Sequence, residues 1–366
     1  MASSCFHGFG VLATNQYTGN GLGVDGEDKG LYVTSNNFYR QIRNLRIDTT
    51  AVPSDRGVAA LHYQVAQATS IQNMELVAGS GTKQIGIFAE NGNGGTISDV
   101  TFVGGAFGIY GGAEQFTAQR LSFHGCAVGV KTVWNWGWLW KSVAMTDVGV
   151  GFLLSGEGVT EDGHVGSASF VDSTFTNVTT AIVTTALDPA VVSESTRVLL
   201  ENVYFNRTNT SVATTDGAPL LIHNGTIQHW ALGPVYTPQR GFSTGSNTAK
   251  NHTRRPGLSE HDGNYFGRAK PQYQDRSVDD FLHVKDFGAR GDGVADDTQA
   301  FQEALVASQG KILFVDAGSY LLTSTVIVPL GTKVVGEAWS QLVATGSFFQ
   351  DERYVDLWGL LTHVAS

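Results

Sequence analysis

Residues 99–123, DVTFVGGAFGIYGGAEQFTAQRLSF, state one short pattern twice, at Asp99-Val-Thr-Phe and at Arg120-Leu-Ser-Phe. It is a polar residue, an apolar one, a small or polar one, then an apolar one. The pattern recurs outward in both directions. Asn44-Leu-Arg-Ile and Asn73-Met-Glu-Leu precede it, and Ser142-Val-Ala-Met, Asp172-Ser-Thr-Phe, Asn202-Val-Tyr-Phe and Asn224-Gly-Thr-Ile follow. Only Ser173 and Gly225 break it. The intervals of 29, 26, 21, 22, 30, 30 and 22 residues are irregular for a helical solenoid and natural for coils with loops of varied length. Apolar-polar alternation marks a strand with one buried face. Second apolar runs lie between the signatures, at Ile85-Gly-Ile-Phe, Phe107-Gly-Ile-Tyr, Gly151-Phe-Leu-Leu and Ala181-Ile-Val. No segment before residue 240 sustains the i, i+3, i+4 apolar spacing of a helix, which disfavours a helix-covered parallel sheet. The all-β fold predicted is a parallel β-helix, whose coils share one core and pair with the coils on either side. Eight coils at ~4.8 Å would stack into a rod of roughly 38 Å. A β-sandwich is the competing all-β fold.

Composition limits the function classes. Of 366 residues 33 are acidic and 23 basic, a formal charge of −10 that argues against nucleic-acid binding. Charged residues make up only 15%, and 45 glycines mark a turn-rich chain. No apolar run approaches the ~20 residues of a membrane-spanning helix. Cys5 and Cys126 cannot form a disulfide framework. The opening MASSCFHGFGVLATNQ lacks the charge and apolar run of a signal peptide. Five glycosylation sequons, at Asn177, Asn206, Asn209, Asn224 and Asn251, instead favour an extracellular protein.

Texture divides the chain into a first β-helix over 1–230, a proline-containing connection over 231–280 and a new beginning over 281–366. In the last part HVKDFGARGDGVADDTQAFQEAL predicts a strand, a glycine turn and an amphipathic helix. Asp296 and Asp297 would cap the helix, and Phe301, Ala304 and Leu305 would lie on its buried face. Strands are expected at Lys311-Ile-Leu-Phe-Val, Ser324-Thr-Val-Ile-Val and Thr332-Lys-Val-Val-Gly.

The G-D-G-x-x-D-D-T core at Gly291 to Thr298 resembles the opening of the pectate-lyase-like β-helix superfamily. NNFYRQIRNLRID (36–48), QVAQATSIQNMEL (64–76), GIFAENGNGG (86–95), WNWGWLWKSV (134–143) and RAKPQYQD (268–275) are similar to glycoside hydrolase family 55. The resemblance implies right-handed β-helices in tandem, and inverting, mostly exo-acting hydrolysis of β-1,3-glucan in a cleft between them. It also implies a fragment. Met1 would fall inside the first β-helix, the second helix would be truncated, and the general-acid glutamate is expected beyond Ser366. Glu337 lies too early to match it. The full-length form is expected to be a monomer acting on laminarin-like β-1,3-glucan, with no cofactor.

Candidate contacts follow residue by residue. Gln67 matches a region that the family turns toward substrate and water, and it could equally ladder with neighbouring coils. Glu90 and Asn93 lie in the AENGNGG turn, where glycines let backbone approach a sugar or simply adopt positive φ. Trp134, Trp136, Trp138 and Trp140 alternate, so a regular strand would place all four on one face. Trp134 and Trp136 are the candidates for stacking on sugar rings. Asp292, Asp296 and Asp297 could suggest calcium, but a turn and a helix cap account for them, and no metal site is assigned. A pectin or uronan lyase and a non-catalytic carbohydrate-binding β-helix are the competing functions.

Overall fold

In the computed structural model of the chain, the repeat is a set of corners. The first residue of seven signatures, Asn44, Asn73, Asp99, Arg120, Ser142, Asp172 and Asn202, has φ between 50° and 60°. Left-handed backbone is uncommon outside glycine, and Asn and Asp tolerate it best. Each corner shifts the strand's alternation by one residue. Around Asn73 the buried side chains are therefore Ile71, Met74 and Leu76, and around Arg120 they are Ala118, Leu121 and Phe123. The same phase gives Trp140, Val143 and Met145, then Leu200, Val203 and Phe205. Ser173 occupies the equivalent inward position in its coil. Its hydroxyl donates to Val171 O at 3.0 Å and accepts from Val143 N–H at 3.2 Å, so the exception to the apolar pattern is a satisfied buried polar group.

The corners also explain the polar side of the pattern, because six of the seven side chains pair with the corner side chain of an adjacent coil. Asn73 Nδ2 donates to Asn44 Oδ1 at 3.0 Å, Arg120 makes a two-pronged ion pair with Asp99 at 2.6 and 2.9 Å, and Asn202 Nδ2 donates to Asp172 Oδ1 at 2.8 Å.

The structure describes residues 1–17, 30–156, 164–185, 196–235, 241–246, 254–337, 339–350 and 361–364. They divide into two compact units, Met1–Ala269 and Lys270–Ser366. In the first, one ladder of parallel strands runs through Gln41–Asp48, Ser70–Val77, Gly95–Val103, the later half of Phe107–His124, the later half of Val128–Thr146, Ser167–Val171 with Thr174–Thr176, and Arg197–Asn206. A second parallel ladder runs through Gly10–Ala13, Ala59–His62, Ile85–Ala89, the starts of the two long strands, Val150–Leu154, Thr180–Thr184 and Thr210–Thr214. This is the parallel β-helix expected, of the pectate-lyase-like kind. Its core is laddered in the same way: Phe102 stacks on Phe123 at 4.5 Å, Phe116 on Trp138 at 5.1 Å and Phe175 on Phe205 at 5.4 Å. Coils pack so closely that a Cβ at Gly108 would sit 2.6 Å from the Phe123 ring and 2.7 Å from Gly129 O.

Two expectations are corrected. The eighth signature is not another parallel coil. Gly225 has φ 115°, and the strand Gly225–Val235 runs antiparallel to Arg197–Asn206, pairing the edge of the last parallel strand. The expected connection is also partly built into the first unit. Gly241–Ser246 pairs with Gly225–Val235, and Arg254 and Tyr265 are tied to Asp172. The physical reason is a charge cluster. Asp172, with no side-chain exposure, accepts from Arg254 Nη1, Asn202 Nδ2 and Tyr265 N–H, while Arg254 Nη2 reaches Glu201 at 3.0 Å and its guanidinium lies 3.9 Å over the Tyr265 ring.

The second unit contains the expected helix, Thr298–Ala307, with Phe301, Ala304 and Leu305 buried. Parallel strands flank it. Phe281–His283 pairs with Ile312–Val315 and that with Lys333–Gly336, while Asp292–Asp296 pairs with Gly318–Leu322 and that with Ser340–Ala344. The aspartates divide their work differently from the expectation. Asp296 accepts the first-turn Thr298 N–H at 3.0 Å. The Asp297 side chain turns away from the helix to accept from Arg290 N–H at 2.6 Å and Gly291 N–H at 3.1 Å, holding the glycine turn. Backbone hydrogen bonds from Ala295 and Val294 hold the Asp292 carboxyl below its ordinary pKa. All three carboxylates are thus committed to backbone donors, and among the described residues no cluster of metal ligands occurs.

Candidate functional site

Parallel register brings residues from separate coils into one row. His62 pairs with Phe88, Phe88 with Tyr110 and Tyr110 with Lys131. The Phe88 and Tyr110 rings stack with centroids 5.3 Å apart, and Phe9 and Tyr17 close over His62 at 5.1 and 5.0 Å. His62 is buried, its Nε2 has no hydrogen-bond partner among the described residues, and burial pushes its pKa down to about 4. The imidazole is therefore neutral at pH 7 and acts as one more flat ring.

Where these strands leave the row, polar residues converge. The Gln64 amide is buried. Its Nε2 donates to Glu90 Oε2 at 2.8 Å and to the Tyr17 hydroxyl at 3.1 Å, and its Oε1 accepts from Asn91 Nδ2 at 2.9 Å. The Tyr17 hydroxyl donates to the same Glu90 oxygen. Trp134 Nε1 donates to the Glu90 backbone carbonyl at 2.8 Å, fixing a half-buried indole against the main chain at Glu90. A carboxyl group, an indole and a row of stacked rings are the elements of a site for a polyhydroxylated ring: oxygens to accept from hydroxyl donors, apolar faces for C–H surfaces.

Of the five candidates, the structure joins Glu90 to Trp134 by that hydrogen bond. It joins Gln67 to Asn93 as a parallel β-bridge, with Asn93 N–H donating to Ala66 O at 3.3 Å. Gln67 is exposed and Asn93 half-buried. In the same turn Gly92 and Gly94 have φ of 138° and 62°, so left-handed backbone accounts for them. Trp136 is 59% exposed. The four tryptophans do not share a face. Gly111 pairs with Thr132 but Ala113 with Asn135, so one extra residue in the tryptophan strand breaks the alternation. That extra residue precedes Trp136; beyond it the buried positions are three apart, Ala113 and Phe116 in one coil and Asn135 and Trp138 in the next, so the strand bends there and puts Trp138 and Trp140 in the core, with Trp138 Nε1 donating to Ala113 O at 3.0 Å.

Four of the five sequon asparagines can be placed. Asn177, Asn209 and Asn224 are exposed and Asn206 is half-buried, while Asn251 lies outside the described residues. Sequence reasoning did not single out Tyr17, His62, Gln64, Phe88 or Tyr110. The only signal for the ring row was the coil interval, which places Phe88 26 residues after His62 and Tyr110 22 after Phe88.

Over residues 1–153 and 281–358 the sequence matches the family described as rhamnogalacturonase A/epimerase, pectate lyase-like. The chain belongs to this family. It is also 36% identical over 326 residues to a glucan 1,3-beta-glucosidase of Cochliobolus carbonum, covering 88% of this chain and 41% of that protein. It is 35% identical over 366 residues to the non-secreted LysM effector LysM19 of Penicillium expansum, covering 96% of this chain and 28% of the relative. A probable glucan endo-1,3-beta-glucosidase of Arthroderma benhamiae is 31% identical over 450 residues, covering 96% of this chain and 50% of that protein. The family member thus spans half or less of the length of these relatives. Two of the three bear names of β-1,3-glucan hydrolases.

Proposed function

We propose that the chain is part of a glycoside hydrolase of the family 55 type, inverting and exo-acting on β-1,3-glucan, and that the row of rings beside Glu90 is its glucan-binding face. The observation that carries the reading is the Glu90–Gln64–Trp134 cluster at the end of the Phe88–Tyr110 stack, in a chain whose relatives are named for β-1,3-glucan. Glu90 is assigned to binding. An inverting pair needs one carboxyl group to protonate the leaving oxygen and another, ~6.5–9.5 Å away, to activate water. Glu90 Oε2 instead accepts from two neighbours within its own coil stack.

Laminarin tests the binding assignment directly. Migration of the chain should be retarded in native gels containing laminarin and unchanged by polygalacturonate, and Trp134→Ala should weaken the retardation. No retardation by laminarin would overturn the reading. Retardation by polygalacturonate alone would favour a uronan-active protein, the reading suggested by the family's description. Glucose released from laminarin by the whole hydrolase of which the chain is part, followed by NMR before mutarotation, should appear first as the α-anomer. β-Glucose first would refute inversion, and oligosaccharides without glucose would refute exo action. An extracellular location belongs to the same reading, with Asn177, Asn209 and Asn224 as the accessible glycan acceptors. A mass decrease after treatment with a glycan-releasing amidase is expected for protein secreted by a eukaryotic host, and an unchanged mass would count against it.

A further inference from the structure

Gln64 is buried, polar and absent from the sequence-derived contacts, yet every hydrogen-bonding atom of its amide is used. One N–H goes to Glu90 Oε2, the other to the Tyr17 hydroxyl, and the carbonyl takes Asn91 Nδ2. Reversing the amide would set donor against donor at Asn91 and acceptor against acceptor at Glu90, so its orientation is fixed. The backbone is held as well: Gln64 N–H donates to Thr14 Oγ1 at 2.8 Å, and Gln64 O accepts from Thr14 Oγ1 and Asn37 Nδ2, both at 2.8 Å. Tyr17 completes a closed triangle by donating its hydroxyl to Glu90 Oε2. Both side-chain donors therefore fall on one carboxylate oxygen. Glu90 Oε1 has no partner among the described residues, on a half-buried side chain whose own backbone carbonyl holds the Trp134 indole.

We infer that Gln64 is a positioning residue that locks Glu90 so that Oε1 serves as the acceptor for a pyranose hydroxyl, making the site selective for neutral sugar chains over uronates. This inference rests on the glucan-binding reading above and specifies which atom does the binding. A carboxylate offered to the ligand attracts O–H donors and repels a carboxylate-bearing sugar, while the locked amide removes the rotamer freedom that Glu90 would otherwise lose on binding. Tyr17 supports the same oxygen from the solvent side.

The test is calorimetric titration of the chain with laminarihexaose and with a galacturonate hexamer, for the wild type, Glu90→Gln, Gln64→Leu, Tyr17→Phe and the double variant Glu90→Gln/Gln64→Leu. Wild type should bind the neutral hexamer only. Glu90→Gln should weaken it about tenfold and Gln64→Leu nearly as much, in keeping with loss of one charge-assisted hydrogen bond. Tyr17→Phe should weaken it a fewfold. The double variant should bind no worse than Glu90→Gln, although Gln64→Leu lowers the thermal midpoint in both backgrounds. That separation of affinity from stability is what a merely structural glutamine would not produce. Wild-type binding with Gln64→Leu unchanged, or with the two losses multiplying, would overturn the positioning role and leave the glucan reading standing. Should Gln64→Leu not fold, Tyr17→Phe decides alone, and unchanged affinity there counts against the lock. Failure of the wild type to bind laminarihexaose would overturn both.

Discussion

Asp172→Asn isolates the charge cluster that ties residues 254–265 to the β-helix. Asparagine matches aspartate in volume and tolerates the left-handed φ of 51° at this corner, so neither packing nor backbone strain changes. What changes is the charge and one acceptor. In the wild type Oδ1 takes Arg254 Nη1 and Asn202 Nδ2, and Oδ2 takes Tyr265 N–H at 2.9 Å with Lys141 Nζ at 3.8 Å. In the variant either Tyr265 N–H or the Arg254–Asn202 pair faces an NH₂ group. Hydrogen bonds to a charged group are worth ~1.5–3 kcal/mol. Removing one partner of a buried pair costs ~3–5 kcal/mol when the other is stranded. Arg254 is not stranded, since it keeps Glu201 at 3.0 Å and Gly263 O at 3.0 Å. The loss should accordingly be about 2 kcal/mol, a large share of the ~5–15 kcal/mol of a typical domain. Urea unfolding followed by tryptophan fluorescence reads it, five of the seven tryptophans lying in the first unit. With an m-value of about 3 kcal/mol/M, the midpoint should fall by about 0.7 M. A cycle with Arg254→Met should show coupling of at least ~1 kcal/mol. A midpoint shift below ~0.2 M, or additivity of the two substitutions, would refute the account of the cluster as the tie.

The remaining predictions concern backbone, packing and protons. Ser142→Gly, at φ 56°, should leave stability within about 0.5 kcal/mol, relief of left-handed strain offsetting unfolded-state entropy, whereas Ser142→Val should cost about 2 kcal/mol in the same unfolding assay. Gly108→Ala should destabilise by about 2–3 kcal/mol, because its Cβ meets both a ring and a carbonyl oxygen, while Gly257→Ala, with nothing within 4 Å, should change nothing measurable. The folded-state pKa of His62 lies near 4, below the unfolded value of about 6.5, so the unfolded chain binds more protons between these limits and stability falls as pH drops through that window. With discount for solvent near the exposed edges of Phe9 and Tyr17, the loss should be roughly 2 kcal/mol between pH 7 and pH 4. His62→Phe should flatten that part of the stability profile, and an unchanged profile would mean that His62 is not the group responsible.

The period of the first β-helix was legible because each coil repeats one physical requirement, a left-handed corner between two inward positions, and residues 99–123 show two of them whole. What the corner is could not be read from polarity alone. Arg120 and Ser142 occupy the conformation as Asn and Asp do, and their membership follows from alignment with the other coils. The same pattern misled at Asn224, where Asn-Gly-Thr-Ile satisfies the signature but starts a strand of opposite direction. Direction is set by how the preceding turn brings the strand back, and four residues carry no record of it. The tryptophans failed for a related reason: alternation assumes unbroken pleating, and an extra residue opposite Gly112 followed by a bend that buries Asn135 and Trp138, three apart, leaves Trp136 in solvent while Trp138 and Trp140 lie inward. The functional face shows the limit most clearly. Glu90 and Trp134 could be named from their motifs, but Tyr17, Gln64 and Glu90 come from three different coils, and nothing in any one segment marks its partner. Only register joins them, and register is fixed by the summed packing of the core beneath. A solenoid can therefore keep its repeat visible in sequence while the residues that share a surface remain tens of positions apart. Its site is legible only once every loop length between coils has been turned into a place on the ladder.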